Sequence, residues 1–195
     1  MAQDAGTPRI DAETFYDPGP DVVLRFYSRS ANAPPGRGVG EAGFVHPRAR
    51  LHGIPHFRRG LSNFATAPFE LDGRHYSSVE HAFQGAKISL ADPGIGARFA
   101  LDSGHPLASA PGSDAQAAGR RIVNLSPAQL SQWDGVKQDV MQGAWEARFS
   151  QDPDSAHLLD ATGQAALVHI VPRGRADERW HGLEVLRAAL RGDDW

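Results

Sequence analysis

Phe69-Glu70-Leu71-Asp72-Gly73-Arg74-His75-Tyr76-Ser77-Ser78-Val79-Glu80-His81-Ala82-Phe83-Gln84-Gly85-Ala86-Lys87 is the stretch that decides how this chain is read. Asp72-Gly73 between two extended, aromatic-bearing segments is a two-residue hairpin signal, because the central positions of such a turn need positive φ. Ser77 or Ser78 then stands where a helix N-cap is wanted, with Glu80 in the first turn. A helix is predicted over residues 79–90, ended by Asp92-Pro93-Gly94, which cannot propagate it. On that helix Glu80, Gln84 and Lys87 occupy i, i+4 and i+7 and share one face. Val79, Ala82, Phe83 and Ala86 supply an apolar stripe beside them. A carboxylate, an amide and an amine so aligned are what a small polar pocket in a helix wall requires; the same spacing also describes a solvated charged face.

Working outward, residues 22–27 (VVLRFY) form a β-branched and aromatic run that reads as a strand. Residues 1–20 are polar and contain Pro8, Pro18, Gly19 and Pro20. They are expected to be a flexible or loosely docked lead-in to one domain over 21–195. Residues 33–40, with Pro34, Pro35, Gly36, Gly38 and Gly40, can only be loop. Further helices are predicted at 114–121, 126–151, where Pro127 suits a first turn, 156–161 and 183–190. A strand at 166–171 is bracketed by Thr162-Gly163 and Pro172-Arg173-Gly174. The sum is an α+β domain, mostly helical, with a few short strands.

Composition narrows the chemistry. A chain of 195 residues suits a single core, and 41% hydrophobic with 22% charged content is ordinary for a globular protein. With no cysteine, disulfides, thiolate-bound zinc and thiol nucleophiles are excluded. The opening residues lack a basic segment followed by an apolar run, so the cytoplasm is the expected location, with no membrane. The net charge of −3 excludes coating of nucleic acid by charge alone. A local basic stretch, 46–59, holds Arg48, Arg50, Arg58 and Arg59 with His46, His52 and His56 and no acid. It is either a solvated loop or a phosphate-binding surface. Only two of the 20 basic residues are lysines, Lys87 and Lys137. A lysine amine, unlike a guanidinium, can be deprotonated and used as a nucleophile or base.

Leu61-Ser62-Asn63-Phe64, Ala67-Pro68-Phe69-Glu70-Leu71-Asp72-Gly73 and Tyr76 through Lys87 together resemble the central signature of the NADAR (NAD and ADP-ribose), or YbiA-like, family. The likeness continues through Ala118-Gly119-Arg120, Trp133-Asp134-Gly135-Val136-Lys137, Ala147-Arg148-Phe149, Leu158-Leu159-Asp160-Ala161-Thr162-Gly163 and Leu167-Val168. The resemblance implies a YbiA-like fold and a cofactor-independent, metal-free N-glycosidase acting on a ribose joined to nitrogen. Two substrates follow from it: ADP-ribosylated guanine in DNA or a nucleotide, the lesion left by an operon-linked DarT-type toxin, and early riboflavin-pathway intermediates. A non-catalytic ADP-ribose-binding module is the reading from another class.

Glu80 is expected to stabilise the positive charge that builds on C1 and to handle the protons of water. Lys87 is a Schiff-base nucleophile or a positioning charge. Gln84 shares their face. Asn63 and Phe64 are candidates to hold ribose or base, and Arg120 to meet phosphate. Trp133 with Asp134, and Asp177 with Trp180, are candidates for stacking a base and binding ribose hydroxyls, or else for caps and core anchors. The chain departs from the family pattern at His169, where many members carry an acid, and at Asp177-Glu178-Arg179-Trp180-His181-Gly182, which has one extra residue.

Overall fold

The computed structural model describes residues 15–171 and 175–192. The hairpin forms as predicted: β2 (Phe69–Leu71) pairs antiparallel with β3 (Arg74–Tyr76), and Asp72 and Gly73 both take positive φ, 51° and 71°. The first strand, β1 (Val23–Phe26), is shorter than its apolar run and pairs in parallel with β4 (Ala166–His169), in the register Val23↔Ala166 to Phe26↔His169. A short strand, β5 (Glu178–Arg179), lies antiparallel on β4 and completes a sheet of order β1-β4-β5. Two residues carry no readable alternation, which is why β5 was not anticipated. The predicted bracket at Pro172-Arg173-Gly174 lies outside the described residues.

The helices are α1 (Phe57–Gly60), α2 (Val79–Ser89), α3 (Pro93–Ala97), α4 (Gly112–Gly119), α5 (Pro127–Gln151), α6 (Pro153–Ala161) and α7 (His181–Arg191). The long α5 starts on a reciprocal capping box, in which Gln129 N–H donates to Ser126 Oγ at 3.3 Å and Ser126 N–H to Gln129 Oε1 at 2.8 Å. Asp92-Pro93-Gly94 ends α2 but does more than stop it. Asp92 Oδ1 accepts from Ile95 N–H at 2.9 Å and launches α3. Asp152 does the same for Ser155 N–H at 2.9 Å, so α6 begins three residues before its predicted start. Pro93, read only as part of a stop, stands just inside α3 as a start signal, and Pro153 does the same in α6.

The main core gathers Leu24 and Phe26 of β1, Leu167 of β4, Phe149 of α5 and Leu159 of α6, all fully buried. At about 1.5–3 kcal/mol for each such side chain, this strand-and-helix packing dominates stability. A second cluster forms around Ile88, Phe99 and Ala115. Val79 and Ala82 of α2 belong to the first cluster and Ile88 to the second, so α2 lies in the seam between them. That position buries the face that carries Glu80.

Asp17 and Pro18, in the last residues of the lead-in, are more tightly held than its composition predicts. Pro18 carbonyl accepts from Gln164 N–H at 2.6 Å, and Asp17 is ion-paired with Arg50. The packed body therefore begins before residue 21. Among the described residues no helix is long and apolar enough to cross a membrane.

Candidate active site

Glu80 is held by its backbone before its side chain is considered. Its N–H, one of the donors left unpaired in a first helical turn, is accepted by the carbonyl of Asn63 at 3.0 Å. The neighbouring His81 fixes the same turn from the other side. Its Nε2–H donates to the Leu107 carbonyl at 3.1 Å, and Nδ1 accepts from Ser78 Oγ–H at 2.7 Å. Ser77 Oγ–H is spent on the Ala108 carbonyl at 2.7 Å. Ser78 thus sits at the N-cap position without capping through its side chain. His81 is 1% exposed, and burial pushes its pKa down. It is a neutral structural pin.

The Glu80 carboxylate is 5% exposed. Gln84 Nε2 donates to its Oε1 at 2.8 Å, as the i, i+4 spacing predicts. Burial raises the carboxyl above its ordinary range; the Gln84 bond, Arg120, the Gln116 side chain and Lys87 act against that rise. Gln116 comes from α4 and Arg120 from its C-cap, one turn on, so α4 forms the second wall. The two helices meet closely because position 119 is glycine: a Cβ there would lie 1.9 Å from Gln84 Oε1. That oxygen is itself buried without a donor among the described residues. Lys87 is half-buried at the far end of the α2 face. Between Glu80 and Lys87, Phe83 meets Trp133 of α5 edge-on with ring centroids 4.7 Å apart.

Glu80, Gln84, Lys87, Arg120 and Trp133 are therefore brought together, with Asn63 at the helix start. Asn63 is anchored in turn: Trp145 Nε1–H donates to its Oδ1 at 2.8 Å. Trp145 lies 4.9 Å from Trp180, which stacks on His169 at 4.6 Å and meets Phe26 edge-on at 5.1 Å. Trp180 so reaches the site through Trp145 and Asn63. Phe64 packs against the first residue of α4, Gly112.

Two candidates are placed elsewhere. Asp134 is exposed and bonded to Lys137 at 2.7 Å, which accounts for the second lysine as a surface partner. Asp177 is ion-paired with Arg25 and accepts from Val171 N–H at 3.0 Å, closing the end of the sheet. Gln116, Trp145 and Arg148 escaped the sequence reading. Arg148 is 2% exposed and donates to the carbonyls of Gly60 (2.6 Å) and Ser62 (3.0 Å), holding the loop that carries Asn63. Its position between Ala147 and Phe149 in the predicted helix was the available signal.

The basic stretch divides in the same way. Arg50 bonds Asp160 at 2.5 Å as well as pairing with Asp17. Arg58, 2% exposed, bonds Glu41 at 2.6 and 2.7 Å and the carbonyl of Pro34 at 3.0 Å, so it organises the Pro-Pro-Gly loop. Arg58 is internal to the fold, and Arg50, half-buried, is committed to two carboxylates. Arg48, Arg59, His52 and His56 are exposed.

Comparison with known proteins agrees with this architecture. The NADAR domain model matches residues 54–184, more than half of the chain. The chain is similar to the N-glycosidase YbiA of Shigella boydii, 33% identical over 108 residues that cover 55% of this chain and 60% of that protein. It is also similar to the N-glycosidase YbiA of Escherichia coli K12, 29% identical over 118 residues with the same shares. The match thus spans about 60% of the length of these curated relatives. The NMR structure of the E. coli protein YbiA shares the fold with a TM-score of 0.55, at 23% identity, over 90% of this chain and 86% of that one. The α+β, mostly helical domain built around Glu80 accordingly belongs to the NADAR domain family.

Proposed function

We propose that this chain is an N-glycosidase that hydrolyses a ribosyl C–N bond with Glu80 as its essential group, and that it removes ADP-ribose from guanine in DNA or a nucleotide. The carrying observation is the buried carboxyl of Glu80, bonded to Gln84, raised in pKa by burial and felt by the charges of Arg120 and Lys87. A carboxylate costs free energy to bury, and a domain that only binds ADP-ribose has no need of one so placed. A carboxyl whose proton affinity is raised by burial is suited to accept and return a proton. As the C1–N bond breaks, the electron pair leaves with nitrogen and positive charge spreads over C1 and the ring oxygen, where the Glu80 carboxylate stabilises it. Water then adds to C1 and passes its proton to Glu80, which hands it to the departing nitrogen and so returns to the carboxylate. The names of the YbiA relatives, N-glycosidase, support the same chemistry. Reversal of guanine modification would make the chain the antitoxin partner of a DarT-type transferase.

A second substrate is favoured by a specific observation. With Arg50 and Arg58 tied into internal ion pairs, half of the arginines of the basic stretch are lost to a nucleic-acid surface, which favours a small nucleotide-like substrate such as a riboflavin intermediate. Incubation of the purified chain with guanine-ADP-ribosylated DNA and, separately, with riboflavin-pathway intermediates tests both. Release of unmodified guanine or of free ribosyl product identifies the substrate. Stability of every C–N bond in both assays would overturn the N-glycosidase reading.

A further inference from the structure

Two surface depressions lie on opposite chemical footing. The larger, about 500 Å³, is lined by Phe69, Glu70, His75, Asp102 and Gln151 and carries two carboxylates. The smaller, about 270 Å³, is lined by Ser28, His56, Arg59, Gly60 and Phe64 among others, none of them acidic. Arg59 and His56 are the residues of the basic stretch that its ion pairs leave open here. Arg59 Nε donates to the Ser30 carbonyl at 2.8 Å, which orients the guanidinium while its two terminal nitrogens find no acceptor among the described residues. The backbone of His56 is held by Asn32 Oδ1, which accepts its main-chain N–H at 2.8 Å, and keeps a positive φ of 55°. A planar guanidinium fork beside an imidazole and a hydroxyl, in a recess without acids, is complementary to phosphate.

The recess also adjoins the Glu80 site. Phe64, on its wall, follows Asn63, whose carbonyl accepts from Glu80 N–H at 3.0 Å. Standard bond lengths then place the Phe64 Cα no more than about 6 Å from Glu80 N. A volume of about 270 Å³ is below the roughly 300–1,000 Å³ of a whole ligand pocket and suits one part of a ligand.

We propose that this recess is the phosphate subsite of the Glu80 site: Arg59 and His56 bind a phosphate carried by the ribosyl substrate, and the Phe64 ring separates that phosphate from the reacting bond. The proposal rests on the ribosyl C–N hydrolase reading for the identity of the sugar, and it makes phosphorylation of the substrate the feature selected. A phosphomonoester of a free nucleotide and a phosphodiester in a strand present the same anionic oxygens.

The test uses binding without turnover. Amide NMR shifts of the full chain are followed on titration with ribose 5-phosphate, with ribose, and with a short single-stranded oligonucleotide. Ribose 5-phosphate is expected to move the amides of Gly60, Phe64 and Ala65, and ribose to leave them in place. Arg59→Ala should weaken ribose 5-phosphate roughly tenfold, with Arg59→Lys intermediate. Arg59-dependent binding confined to the sugar phosphate marks a monoester site, and tighter Arg59-dependent binding of the oligonucleotide marks a diester site. Equal binding of ribose and ribose 5-phosphate, shifts centred elsewhere, or wild-type affinity in Arg59→Ala overturns the proposal. If Arg59-dependent binding is found and no C–N bond is cleaved, the subsite stands and the catalytic reading fails; cleavage indifferent to phosphate and to Arg59 gives the reverse.

Discussion

Arg148 donates to the carbonyl of Ser62 at 3.0 Å from a fully buried position, with no carboxylate among its hydrogen-bond partners. Its other partners are the Gly60 carbonyl at 2.6 Å and Ser155 Oγ at 3.2 Å. Burial lowers its pKa to about 10, so it stays charged at neutral pH. A buried cation satisfied by neutral carbonyls is a fixed strut for the loop that ends at Asn63. Arg148→Lys should cost about 3 kcal/mol in urea unfolding, because one ammonium cannot serve three divergent acceptors. A loss below about 1 kcal/mol would show that the loop holds its own shape.

For Glu80 the expected trade is activity against stability. Its folded pKa lies above the unfolded value, so the stability it contributes is complete below about pH 4.5 and is lost as pH rises through the folded pKa. Glu80→Gln, which mimics the protonated form, should therefore melt higher than wild type at pH 7.5, with the gap closing toward pH 4.5. Turnover should drop by roughly a thousandfold. A variant that is both less stable at pH 7.5 and still active would remove Glu80 from its assigned role.

His81 and His169 act with the opposite sign. Burial lowers both pKa values, so their stability is complete above about pH 6.5 and is lost as pH falls through the folded values. His81→Gln keeps a donor for the Leu107 carbonyl and cannot be protonated. Its chemical-denaturation midpoint should fall less than that of wild type between pH 7.5 and pH 5. Identical acid sensitivity in the two proteins would place the titrating group elsewhere.

Lys87 is separable into two roles by one substitution. If its amine attacks C1 and forms an imine with the opened sugar, Lys87→Arg is as inactive as Lys87→Ala, and borohydride added during turnover leaves a reduced sugar adduct on Lys87, located by mass spectrometry. If it only supplies charge beside Glu80, arginine restores most of the rate and no adduct forms. We expect the first pattern to require substrate and the second to be independent of borohydride.

The hairpin, α2 and its i, i+4 contact between Glu80 and Gln84 were legible in the sequence because turn chemistry and helix periodicity are local. The strand pairing, Gln116 and Arg148 were not, since each depends on contacts between distant segments. The basic stretch misled for a related reason. Charge is visible in sequence, but the partners Glu41, Asp17 and Asp160 that draw Arg58 and Arg50 inward are remote from them. Asp177 illustrates the same limit, as Arg25 claims it from the opposite end of the chain.

The parallel pairing of β1 with β4 also sets an order of assembly. β1 is made long before its partner strand, so Leu24 and Phe26 cannot be covered by the sheet until the segment through β4 has left the ribosome. Contacts of such long sequence separation slow folding. The local hairpin and α2 can form early, while closure of the sheet, and with it the support that Trp180 gives through Trp145 to Asn63, must come late. An incomplete chain therefore carries Glu80 on a formed helix before the site around it is rigid.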